Sequence, residues 1–121
     1  MSPLARPLKG HSILVIDDDR LAGFRLHRAL VAAGGRVAHG DLSVAEPYLG
    51  AAALAAVVVA TGLNGTDARR LAPLLAACKA PWVAYGARLA PGLPKPAAHI
   101  DGDDVALLVA QLAALCTGTR H

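Results

Sequence analysis

The segment Ser12–Ile16 is aliphatic after its serine and runs directly into three consecutive acids, Asp17, Asp18 and Asp19. So short an unbroken apolar run has no polar outward face. It reads as a strand covered on both sides, the kind found in parallel sheets flanked by helices. Two further runs, Ala55–Ala60 and Trp82–Tyr85, have the same character, and helical patterns separate them. This alternation predicts an α/β fold, a doubly wound parallel sheet with helices on both faces. The three acids then stand at the C-terminal edge of the sheet, where open α/β sheets bind ligands. Ala55–Ala60 should end at the same edge, and it ends in a methyl group.

The remaining elements follow from spacing and breakers. Residues 1–11 read as a flexible arm punctuated by Pro3, Pro7 and Gly10. Residues 12–118 read as one domain and 119–121 as a tail. Helix one is predicted from Arg20 to Ala33, with Phe24, His27 and Val31 on one face, Leu26, Leu30 and Ala33 beside them, and Arg25 and Arg28 in solvent. Gly34-Gly35 stops it. A strand over Arg36–His39 follows, then a short helix opened by a capping box, Ser43 with Glu46. Leu71, Leu74, Leu75 and Cys78 mark a third helix, with Thr66 or Asp67 as its cap and Pro73 expected to kink it or delay its start. The last helix spans about Asp103 to Cys116. Its core stripe is Val105, Leu108, Val109, Leu112, Leu115 and Cys116, and its leading acids suit the positive helix end.

Composition narrows the function classes. A chain of 121 residues can bury about two-thirds of its unfolded surface, enough for one independent core. Hydrophobic residues make up 55% and aromatics only 3%, so the core must be aliphatic. The net charge of +3 is spread over separate helices, with Arg25 and Arg28 on one and Arg69 and Arg70 on another. No aromatic residues interleave with these charges, which argues against nucleic-acid binding. No apolar run reaches membrane-spanning length and the first residues do not form a signal peptide, so a cytoplasmic protein is expected. Cys78 and Cys116 fall on apolar helix faces and read as buried thiols. His27 reads as a packed or half-exposed side chain. His11, His39, His99 and His121 show no metal-ligand spacing. The turn from Gly62 to Gly65 lacks the lysine and serine of a phosphate loop.

The acids after strand one, the strand order and Lys95-Pro96 together resemble the receiver domain of response regulators, over nearly the whole stretch from Ser12 to Cys116. The resemblance implies the flavodoxin-like strand order and a bacterial two-component, phosphorelay context. It also implies a five-part site. Two acids and an acceptor aspartate hold Mg²⁺, and a hydroxyl after strand four and a lysine after strand five contact the phosphoryl oxygens. Asp17 and Asp18 match the acids and Lys95 the lysine. Ala60 falls at the phosphoacceptor position and Gly86 at the switch hydroxyl position. A receiver also has a helix between strands four and five. Here residues 87–94 contain Pro91, Gly92 and Pro94, so the fourth helix and part of strand five are expected to be missing or unstructured. Strand five is placed at Leu93–Lys95 or at Ala97–Ile100.

These departures imply a module that cannot be phosphorylated and that signals by binding a histidine kinase, another regulator or a second copy of itself. A methyl group at position 60 cannot attack phosphorus. Asp17 and Asp18 form an acidic pocket remnant with weak affinity for Mg²⁺, and pairing with Lys95 is the expected arrangement. Two carboxylates about 4 Å apart repel by roughly 1–4 kcal/mol, which a neighbouring ammonium would offset. Loss of a helix would leave Leu107, Ala110 and Ala114 as an interaction face, with a dimer as one outcome. Two alternatives stay open. One is a Mg²⁺-dependent phosphotransfer receiver with a substitute acceptor, for which Thr61 is nearest. The other is a metal-dependent Rossmann-like enzyme, for which Asp19 and Thr61 are the available groups.

Overall fold

A computed structural model of the chain describes residues 7–17, 20–49, 54–60, 65–86, 92–100 and 104–118. The elements in chain order are β1 (Ser12–Ile16), α1 (Arg20–Ala32), β2 (Arg36–Gly40), α2 (Leu42–Leu49), β3 (Ala56–Ala60), α3 (Gly65–Ala77), β4 (Trp82–Tyr85), β5 (Ala98–Ile100) and α4 (Val105–Gly118). The strands form one sheet in the order β2-β1-β3-β4-β5, every pair parallel. This is the flavodoxin-like doubly wound order.

Successive strand residues face opposite sides of a sheet, and each side here has its own core. Ile13, Val15, Val58 and Val83 pack with Leu26 and Leu30 of α1 and Leu108 and Leu112 of α4. Leu14, Ile16, Val57 and Val59 pack with Leu42 and Leu49 of α2 and Leu71 and Leu75 of α3. Both cores are mainly aliphatic, as the scarcity of aromatics required, with one aromatic in each, Tyr85 and Trp82. On α1 the buried face is Gly23, Leu26 and Leu30, continued by Ala33 just past the helix end. Phe24 and Val31 are exposed, and the Arg28 guanidinium lies over the Phe24 ring, 5.9 Å from its centroid.

Three local features differ from the sequence reading. The arm is not free along its whole length. Residues 7–10 form a turn, Leu8 is fully buried in the α1/α4 core, and its N–H donates to the Ala33 carbonyl at 2.9 Å. The cap of α2 is Asp41, whose Oδ1 accepts from the Val44 N–H at 3.2 Å. Glu46 instead reaches across to Arg70 of α3, at 3.1 Å. In α3, Pro73 sits inside a continuous helix, and Asp67 lies in its first turn.

The placement of β5 follows from the prolines before it. Pro94 and Pro96 have no N–H to give to a ladder. The first rung is therefore the Ala97 N–H donating to the Trp82 carbonyl at 2.8 Å, and β5 begins at Ala98. The strand is short, as expected, and occupies the second of the two predicted positions. The fourth helix of the chain, α4, follows it. Among the described residues between β4 and β5, Gly86 and 92–97, there is turn and irregular backbone; residues 87–91 lie outside the described set.

Candidate functional site at the C-terminal sheet edge

Register places the predicted residues relative to one another. Ile16 pairs with Val59, and Ala60 pairs with Tyr85. Asp17, Ala60 and Tyr85 therefore stand at one level, the last of the sheet. Asp17 is half-buried and extends the β1–β2 ladder by one rung, its N–H donating to the Gly40 carbonyl at 2.9 Å. Ala60 closes β3 and is partly buried. Asp18, Asp19 and Thr61 lie outside the described residues.

Gly86 follows β4 with φ of 129°, in a region that disfavours side chains. Its N–H donates to the Ile100 carbonyl at 2.9 Å, and its carbonyl accepts from His99 Nε2 at 2.9 Å. The backbone after β4 is thus fastened to β5 by hydrogen bonds at the place where a receiver would use a hydroxyl.

Lys95 is not part of this edge. The lysine assignment required it to end β5, but it precedes that strand. With Val83 paired to Ala98 and Tyr85 to Ile100, Lys95 stands exposed at the N-terminal side of the sheet, opposite Asp17. The Lys95–Asp17 pairing expected from sequence is therefore ruled out by register. The residue after Ile100 in the chain is Asp101, an acid.

A Mg²⁺ ion needs near-octahedral oxygen ligation, usually through one or two carboxylates with substrate oxygens and water. At the level of Asp17 the neighbouring strands present the Ala60 methyl and the Tyr85 ring. The described residues do not build the three-carboxylate cradle of a receiver.

One cluster beside this edge was not legible in the sequence. His39 of β2 and His27 of α1 meet with their Nδ1 atoms 3.0 Å apart and their rings inclined at 67°. Gly23 lies beneath them. A Cβ there would stand 3.2 Å from His39 Cδ2 and 3.6 Å from Asp17 Cβ, so the glycine makes room for the ring next to the acid. Burial, and then the adjacent His39, hold the His27 imidazole below its usual value of 6.5. The unfolded chain therefore binds the His27 proton more readily than the folded one. That contribution to stability is present above pH 6.5 and is lost as pH falls through the lower folded value. Thermal melts across this window are expected to show Tm falling with acidification, and His27→Asn is expected to flatten that slope.

Other candidates carry no site chemistry. The cysteines lie on opposite faces of the sheet and form no disulfide, and burial pushes the Cys116 thiol up. Leu107, Ala110 and Ala114 are exposed along the outer face of α4, with Leu107 44% accessible. Asp104 caps that helix, its Oδ1 accepting from the Leu107 N–H at 2.9 Å. Among the described residues, no helix is long and apolar enough to cross a membrane.

No protein-family model matches the chain, and no curated protein matches it. Solved structures do. A response regulator receiver domain protein (CheY-like) from Methanospirillum hungatei JF-1 aligns with a TM-score of 0.73 at 16% identity, covering 91% of this chain and 97% of that one. The signal receiver domain of a signal transduction histidine kinase from Syntrophus aciditrophicus gives 0.70 at 15% identity, with 93% and 94% covered. A two-component response regulator from Clostridium difficile gives 0.69 at 15% identity, with 92% and 99% covered. Strand order, the acid that ends β1 and these alignments agree: the chain has the fold of a response-regulator receiver domain.

Proposed function

We propose that this chain is a receiver-like interaction module of two-component signalling that works without accepting phosphate, by contact with a histidine kinase, another regulator or a second copy. The observation that carries this reading is Ala60 at the end of β3, level with Asp17. Phosphoryl transfer to that position needs an oxygen nucleophile, and alanine has none. The placement of Lys95 at the other side of the sheet supports the same reading, because the charge that would neutralise phosphoryl oxygens is absent from the described edge. The described residues do not bring three carboxylates together here, and the proposed contact role calls for no Mg²⁺. The exposed apolar face of α4 around Leu107, Ala110 and Ala114 is the proposed contact surface, and such faces mark interaction sites when contiguous.

The test is incubation with acetyl phosphate and Mg²⁺ followed by intact-mass measurement under mild acid. No mass change is expected. A labile adduct would show that a substitute acceptor exists and would replace this reading with a phosphorylated regulator. Turnover of a phosphate ester under the same conditions would point to an enzyme.

A further inference from the structure

We propose that His27 and His39 form a chelating site for a borderline transition-metal cation, Zn²⁺ being the simplest probe, in which the two Nδ1 atoms are the protein ligands and water fills the other positions. The pair meets through its ring nitrogens, not through stacked faces: the two Nδ1 atoms are 3.0 Å apart. A tetrahedral Zn²⁺ with bonds of about 2.0–2.1 Å holds two nitrogens about 3.3 Å apart, so the nitrogens need part by a few tenths of an ångström while the rings turn to aim both lone pairs at the ion. Neither ligand must be gathered from a loop. His27 lies in the middle of α1, and His39 is locked in the β1–β2 ladder opposite Val15. Site geometry set by regular elements is already organised before an ion arrives.

The chemistry selects the class of ion. Neutral imidazole suits Zn²⁺, Cu²⁺ and Ni²⁺, whereas Mg²⁺ and Ca²⁺ prefer oxygen. Without a metal, two Nδ1 atoms at this distance share one hydrogen; an ion would satisfy both lone pairs together. Gly23 leaves the His39 ring space to turn, since a methyl there would press on its Cδ2. Among the described residues no third histidine, cysteine or carboxylate completes a closed set. Among the described residues the site thus offers two ligands and leaves positions for water, unlike the four-ligand type that holds a fold together. Both rings are partly accessible to solvent, so an ion can reach them. The inference does not depend on the signalling role proposed above.

The experiment is calorimetric titration of the full chain with Zn²⁺, together with ¹⁵N spectra that resolve the histidine side chains. One ion per chain is expected, with a dissociation constant on the order of micromolar and with the ¹⁵N shifts of Nδ1 coordination at His27 and His39. His27→Asn and His39→Asn should each weaken binding by at least about tenfold, the loss that even an outer partner of a metal ligand produces. His11→Asn and His99→Asn should leave it unchanged. The wild-type spectra identify the ligands even where a variant folds poorly. Absence of saturable binding would overturn the proposal. So would coordination shifts at other histidines, or displacement of Zn²⁺ by equimolar Mg²⁺, which would place the ion at the acidic edge.

Discussion

Leu8→Ala is expected to lower the free energy of unfolding by about 2–5 kcal/mol, the range for removing most of a buried leucine from a core that cannot close the gap. The side chain is fully buried between α1, α4 and the sheet. Its backbone is fixed as well, donating to Ala33 at 2.9 Å and accepting from the His11 N–H at 3.0 Å. The turn of residues 7–10 therefore closes the end of the core at which α1 stops. Urea denaturation followed through Trp82, the single tryptophan, measures the effect. A chain beginning at Lys9 should lose at least as much. A loss below about 0.5 kcal/mol, the range of ordinary surface substitutions, would mean that the segment contributes nothing to the core.

Gly40→Ala is expected to cost about 1–3 kcal/mol through overpacking. A Cβ at that position would lie 2.7 Å from both Cβ and Cγ1 of Val44 and 3.2 Å from its Cγ2. Such contacts force α2 away from the end of β2. The Gly40 carbonyl also receives the Asp17 N–H, so the displacement reaches the acidic edge. Val44→Ala removes two of the three close atoms. It should be nearly neutral in the parent, where Val44 is half-exposed, and should recover part of the loss in the Gly40→Ala background. Denaturation of the four proteins gives the coupling directly. Additive effects would place the strain elsewhere than at Val44.

The strands, the order of elements and the two-faced core were legible in the sequence because they rest on short-range patterns. Apolar runs such as Ser12–Ile16 and the spacing of Leu108 and Leu112 each report burial within a few residues. The position of Ala60 beside Asp17 was legible for the same reason, since both follow directly from where a strand ends. Leu8 was not, because one leucine among prolines and glycines has no period to read. Lys95 was misplaced because a lysine-proline pair was matched along the chain. Register depends instead on which N–H groups can pair, and Pro96 delays pairing until Ala97. The capping box at Ser43 lost to Asp41, which stands one residue before the helix and can reach the Val44 N–H. The histidine pair could not be foreseen from spacing, because α1 and β2 bring together two residues that no local repeat connects.

β5 forms one border of the sheet, and borders are where sheets recruit foreign strands into aggregates. This border is only three residues long. It is preceded by two prolines that cannot donate and by an exposed lysine whose desolvation would oppose stacking. The sequence that displaced Lys95 from the acidic edge thus equips this border to resist templated polymerisation, and leaves β2 at the far side as the longer open border.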